Sequence, residues 1–83
     1  MSQPDTIILY GTAWCGGTRR CRLLLERYHI PFQYIDIEQD EEAGKLVESL
    51  NRGYRSVPTI IWPDGSKLTE PSDDALLKKL GVD

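Results

Sequence analysis

The chain is short of metal-ligating and cross-linking residues: one histidine and two cysteines in 83 residues. No in-chain set of the Cys₄ or Cys₂His₂ kind can be drawn from that stock, so no metal site is expected. Two cysteines are also too few for the disulfide framework of a small secreted domain. Basic residues are outnumbered, ten Lys and Arg against thirteen Asp and Glu, for a formal net charge of −3. Nucleic-acid binding wants a clustered basic face, and that partner is excluded. The run Arg19-Arg20-Cys21-Arg22 is local and reads as a solvated helix face. No stretch approaches the ~20 apolar residues of a membrane span. The opening "MSQPDTIILY" lacks the basic region of a signal peptide. A soluble cytoplasmic protein is expected, with its thiols reduced and no membrane partner. No repeat or low-complexity segment is present, and residues 1–83 read as a single domain with an ordinary apolar content of 40%.

What is there is a well-punctuated alternation of strands and helices. Thr6-Ile7-Ile8-Leu9-Tyr10, closed by Gly11, is a buried strand. A helix follows, starting between Cys15 and Gly17, with Cys21, Leu24, Leu25 and Tyr28 on one face and Pro31 limiting its end. Phe32 to Ile37 alternates as a second strand. The acidic stretch Glu38 to Glu42 suits a helix N-terminus, and Ala43, Leu46, Val47 and Leu50 form that helix's apolar face, ended by Asn51 and Gly53. Pro58 to Trp62 is a third strand, Pro63-Asp64-Gly65 a turn, and Lys67 to Thr69 a short fourth strand. Ser72 caps a last helix with Asp73 and Asp74 in its first turn and Leu76, Leu77 and Leu80 inside; Gly81 closes it. The order β-α-β-α-β-β-α predicts a parallel first βαβ unit, an antiparallel final hairpin and helices on both faces. The fold class is α/β in the thioredoxin pattern, a mixed four-stranded sheet flanked by three helices.

Both cysteines fall in "TAWCGGTRRC", residues 12–21. Cys15 lies where a strand has ended and a helix begins. Unpaired N–H groups and the helix dipole there favour thiolate over thiol. Gly16 and Gly17 leave the sulfur uncovered, Thr18 can donate to it, and Arg19, one turn on, can add positive charge. Cys21 begins the apolar stripe and reads as a small core hydrophobe. Six helical residues place the two Cα atoms about 10 Å apart. A disulfide wants about 7 Å or less, so a resolving role for Cys21 requires the first turn to unwind. Val57-Pro58 opens the third strand on a proline whose preceding bond can be cis. His29, near a helix end, is a cap or surface residue.

Strand, aromatic-Cys, helix and then V-P-T before a hairpin resembles the glutaredoxin family of the thioredoxin superfamily, over nearly the whole chain. The nearest type is the mycoredoxin or bacilliredoxin kind. The matching pieces are "WCG" at Trp14–Gly16, "DIE" at Asp36–Glu38, "SVPT" at Ser56–Thr59, "DGS" at Asp64–Ser66 and "LTEPS" at Leu68–Ser72. The resemblance implies that Cys15 is the nucleophile and that Pro58 is cis and faces it. It implies that Trp14, Val57, Pro58, Ser72 and Asp73 bind the thiol compound, Val57 through its backbone. Three departures stand out: Thr18 replaces the usual second cysteine; Thr12 and Thr69-Glu70 stand where glutathione-using members have a lysine and a Gly-Gly; and Gly17 replaces a flanking aromatic.

The leading expectation is a monothiol oxidoreductase. It would remove a low-molecular-weight thiol (bacillithiol, mycothiol or glutathione) from S-thiolated client proteins, with that thiol as co-substrate, no bound cofactor and a monomeric state. The alternatives are an iron–sulfur cluster-binding monothiol glutaredoxin, or a dithiol protein using Cys15 and Cys21. An arsenate-reductase type is set aside on length. A dithiol donor to ribonucleotide reductase is set aside on Thr18.

Overall fold

The computed structural model describes residues 6–82. Its elements are β1 (Ile7–Gly11), α1 (Gly16–Arg27), β2 (Phe32–Asp36), α2 (Glu41–Leu50), β3 (Thr59–Ile61), β4 (Lys67–Thr69) and α3 (Asp73–Leu80). The sheet order is β2-β1-β3-β4. Strand β1 pairs parallel with β2 and antiparallel with β3, and β3 pairs antiparallel with β4. The order, the parallel first unit and the closing hairpin are those expected from the sequence.

Alternation along β1 divides the core. Ile7 and Leu9 face one side with Cys21, Leu25, Ile60, Trp62 and Leu76, under α1 and α3. Tyr10 joins Ile37, Ala43 and Val47 on the other, under α2, with Ile8, Ile35, Val57 and Ile61 against them. Leu9, Leu25, Val47, Ile60 and Leu76 are fully buried. Truncating any of the leucines to Ala costs about 2–5 kcal/mol.

Several boundaries differ from the sequence reading, each for a local reason. Helix α2 starts at Glu41 rather than Glu38, because Asp40 is its cap and accepts from the Ala43 N–H at 3.1 Å. Glu38 instead donates its N–H to the Asp36 carboxylate in a turn. Ile37 lies past the end of β2 but gives its N–H to the Gly11 carbonyl, which keeps it in the core. Pro58, with no N–H to give, precedes β3; Trp62 follows it and closes the Trp62–Ser66 turn. Tyr28 and Leu46, expected inside, are exposed at 37% and 42%. Tyr28 is the C-cap of α1, and Leu46 stands one residue before the fully buried Val47. Ser72 and Gly81 cap α3 as expected: Ser72 Oγ accepts from the Ala75 N–H, and Gly81 takes the left-handed conformation at φ 77°.

Candidate active site

Cys15 is itself the N-cap of α1, with extended backbone (φ −82°, ψ 121°) and no side-chain cap. Its carbonyl receives the Arg19 N–H, so the helix is closed by backbone while the sulfur is left free. The side chain is part-exposed, and as a thiol it donates to the Val57 carbonyl, Sγ to O 3.8 Å. Val57-Pro58 is a cis peptide. The loop that carries it is tied down on three sides. Asn51 Nδ2 donates to Val47 O and to Thr59 Oγ1. Thr59 Oγ1 donates to Ser56 O, and Thr69 Oγ1 donates to Asn51 Oδ1. Arg55 pairs with Glu48 and Glu41 of α2, its guanidinium lying against Gly44 where a Cβ would stand 2.8 Å away. Glu70, at φ 48°, gives its N–H to the Pro58 carbonyl at 2.8 Å.

Gly17 forms the floor between thiol and proline. A Cβ there would stand 3.2 Å from Pro58 Cδ and 3.8 Å from Cys15 Sγ. A larger side chain would therefore narrow the approach to the sulfur. Thr18 is buried at 1% exposure and packs against Gly11, where any Cβ would collide with the threonine side chain. Its hydroxyl has no hydrogen-bond partner among the described residues. Partial burial disfavours ionisation of Cys15. The Thr18 hydroxyl and the N–H groups of Thr18 and Gly17 more than offset this, and the thiol is held below its ordinary value; the Glu70 carboxylate opposes them.

Cys21 is in the opposite environment. It is 1% exposed within the α1/α3 core. Burial pushes its thiol up to about 11, with Arg20 working weakly against that. Both cysteines are free thiols.

The structure brings Cys15, Gly17, Thr18, Val57 and Pro58 together. Gly16 is open, with nothing within 4 Å of where its Cβ would be. Arg19 is exposed, lines a cavity with Thr12 and Arg22, and is not among the groups that shift Cys15. Trp14 stands beside the thiol at 72% exposure, its Nε1 donating to Glu38 at 3.0 Å. Ser72 and Asp73 are already engaged, Ser72 as a cap and Asp73 in an ion pair with Arg20 at 2.9 Å. His29 is exposed beyond α1 in the left-handed region, φ 56°. Two participants were not read from the sequence: Glu70 as a charge near the thiol, and the Val57 carbonyl as its acceptor. Both act across the fold, and no local pattern marks them.

The glutaredoxin family model matches residues 7–66. This chain belongs to the glutaredoxin family. Its activity is thiol–disulfide exchange, as an oxidoreductase. Among curated relatives, a Mycobacterium tuberculosis protein carried under the name glutaredoxin is 40% identical over 74 residues, 89% of this chain and 88% of the relative. Mycoredoxin 1 of Corynebacterium glutamicum is 39% identical over 77 residues, 92% of this chain and 94% of the relative. Among solved structures, a single-site mutant of a thioredoxin-like protein superposes with a TM-score of 0.83 at 19% identity, covering 96% of this chain and all of the other. Glutaredoxin from Archaeoglobus fulgidus superposes with a TM-score of 0.76 at 22% identity, covering 90% of this chain and 85% of that one. At these identities the superpositions speak for the thioredoxin-like fold.

Proposed function

We propose that this glutaredoxin-family protein is a monothiol enzyme that removes a low-molecular-weight thiol from protein mixed disulfides through Cys15 alone. The observation that carries the reading is the contrast at α1. A thiol favoured as thiolate stands at the helix start, a threonine follows three residues on, and the other thiol is sealed in the core. The Cys15 thiolate attacks the small-thiol sulfur of the mixed disulfide. That S–S bond breaks, the client leaves as its thiolate and takes a proton from water, and Cys15 is left bonded to the small thiol. A second small thiol, as thiolate, attacks that sulfur, releases the symmetrical small disulfide and restores Cys15. Val57 lies beside the sulfur and would offer its backbone groups to the incoming compound in the manner of strand addition. Trp14, Pro58, Ser72 and Asp73 are the further residues that would meet the compound in this reading.

The similarity to mycoredoxin 1 supports mycothiol among the three thiols. So does the Glu70 carboxylate, which acts on the Cys15 thiol and disfavours a thiol compound rich in carboxylates. Incubating the reduced protein with the disulfides of mycothiol, bacillithiol and glutathione, and weighing the products, separates these. The expected product is one small-thiol adduct on Cys15, formed fastest from mycothiol disulfide. No adduct from any of the three contradicts the proposal.

A further inference from the structure

Glu70 joins β4 to α3 in a backbone conformation, φ 48°, that suits glycine or asparagine better than glutamate. Three features hold it there. Thr69, the residue before it, closes β4 and pairs with Thr59. Its own N–H is given to the Pro58 carbonyl at 2.8 Å. Pro71, the residue after it, is buried. The Glu70 backbone is thus fixed against the Val57-Pro58 segment, whose Val57 carbonyl accepts from Cys15. Its side chain is exposed, and its charge reaches the Cys15 thiol. The acids on adjoining segments are engaged: Glu38 accepts from Trp14 Nε1, and Asp73 pairs with Arg20. Glu70 has no ion-pair partner among the described residues. An unpaired carboxylate beside a nucleophile that works as an anion opposes that nucleophile. A cation brought to the carboxylate cancels the opposition.

We propose that Glu70 is a specificity-determining residue that selects client proteins with a lysine or arginine beside the thiolated cysteine. The cationic flank pairs with the Glu70 carboxylate as the client docks. The pairing holds the client at the site. It also lifts a negative charge off Cys15, so the thiolate fraction rises as the substrate arrives. An acidic flank meets the same carboxylate and is repelled. The net charge of −3 works in the same direction over longer range. The chemistry is unchanged. The Cys15 thiolate attacks the small-thiol sulfur, that S–S bond breaks, and the client leaves as its thiolate and takes a proton from water. The selection rests on Cys15 being the group that attacks the mixed disulfide.

The test uses the reduced full-length chain at neutral pH and two end-blocked peptides, Gly-Lys-Cys-Lys-Gly and Gly-Glu-Cys-Glu-Gly. Each carries β-mercaptoethanol in disulfide linkage on its cysteine. That cap is uncharged, so the flanking residues are the only difference. Single-turnover release of the peptide thiol is followed by acid quench and mass, for the wild type and for Glu70→Gln. The wild-type ratio of lysine-peptide to glutamate-peptide rates, divided by the same ratio in the variant, removes the peptides' own reactivity. At low salt the quotient should be about fivefold, of the order that an exposed ion pair allows. It should shrink toward one in high salt. Glu70→Lys, the second variant should the first not fold, should reverse the preference. A merely structural Glu70 would change both rates alike and give a quotient of one. A quotient of one at low salt, or a Glu70→Lys variant that keeps the wild-type preference, would overturn the proposal; a β-mercaptoethanol adduct still formed on Cys15 would then leave the one-cysteine reading in place. No adduct on Cys15 from either peptide contradicts that reading and the proposal with it.

Discussion

Two thiols six positions apart on one helix live under opposite rules. Cys15 caps α1, where backbone N–H groups and the Thr18 hydroxyl favour its charged form. Cys21 lies less than two turns on, inside the α1/α3 core, where the same ionisation means burying a charge among Ile7, Leu9, Leu25 and Leu76. Residue type does not make a redox centre. What separates the two is whether the surroundings solvate a thiolate, and one helix supplies both answers: its first turn offers unpaired donors and its middle offers hydrocarbon.

The comparison breaks most visibly in turnover. Cys15→Ser should reduce removal of the small thiol from mixed disulfides to background, whereas Cys21→Ala should keep most of it; comparable losses in the two variants would mean that both thiols take part. Next in size is the donor. Thr18→Val keeps the shape and removes the hydroxyl, and a hydrogen bond to a charged group is worth about 1.5–3 kcal/mol. The Cys15 titration should move up, with alkylation at neutral pH roughly tenfold slower. Folding stability should be held or improved, since the lost hydroxyl is buried without a partner among the described residues.

The two thiols should also pull stability in opposite directions with pH. Cys21 has its folded value raised from 9.0 to about 11, so the folded state holds its proton more tightly. Its contribution is fully present below pH 9 and is lost as pH rises through 11, amounting to about 2–3 kcal/mol. Cys15, lowered from 9.0, contributes above pH 9 and loses that contribution as pH falls through its folded value. Denaturant midpoints should therefore fall more steeply between pH 9 and 11 for the wild type than for Cys21→Ala. The smallest effect belongs to the Arg20–Asp73 pair, half-exposed on both partners. Arg20→Ala should cost under about 1 kcal/mol in denaturant unfolding.

The fold was largely legible because its signals are local. Strand β1 opens on a continuous apolar run, α1 and α2 carry apolar residues at helical spacing, and Ser72 and Gly81 bracket α3. The cysteine at the start of α1 was legible for the same reason, a strand end followed at once by a helix. What the sequence could not place were contacts that close across the fold. The Val57 carbonyl reaches Cys15 across 42 positions. Glu70 reaches it from beyond β4, and Arg55 fastens the loop before Pro58 to α2. Arg19 shows the converse. Spacing put it one turn above Cys15, yet it is exposed and is not among the groups that act on the thiol.

A one-cysteine mechanism requires that the second thiol never closes on the first. The measurement is the intact mass of the wild-type chain after exposure to an excess of a small-thiol disulfide and removal of the reagent. The account predicts a stable increase equal to one small thiol, located on Cys15, with Cys21 still free. A chain lighter by two hydrogens and carrying no adduct, the mark of a Cys15–Cys21 disulfide, would contradict it.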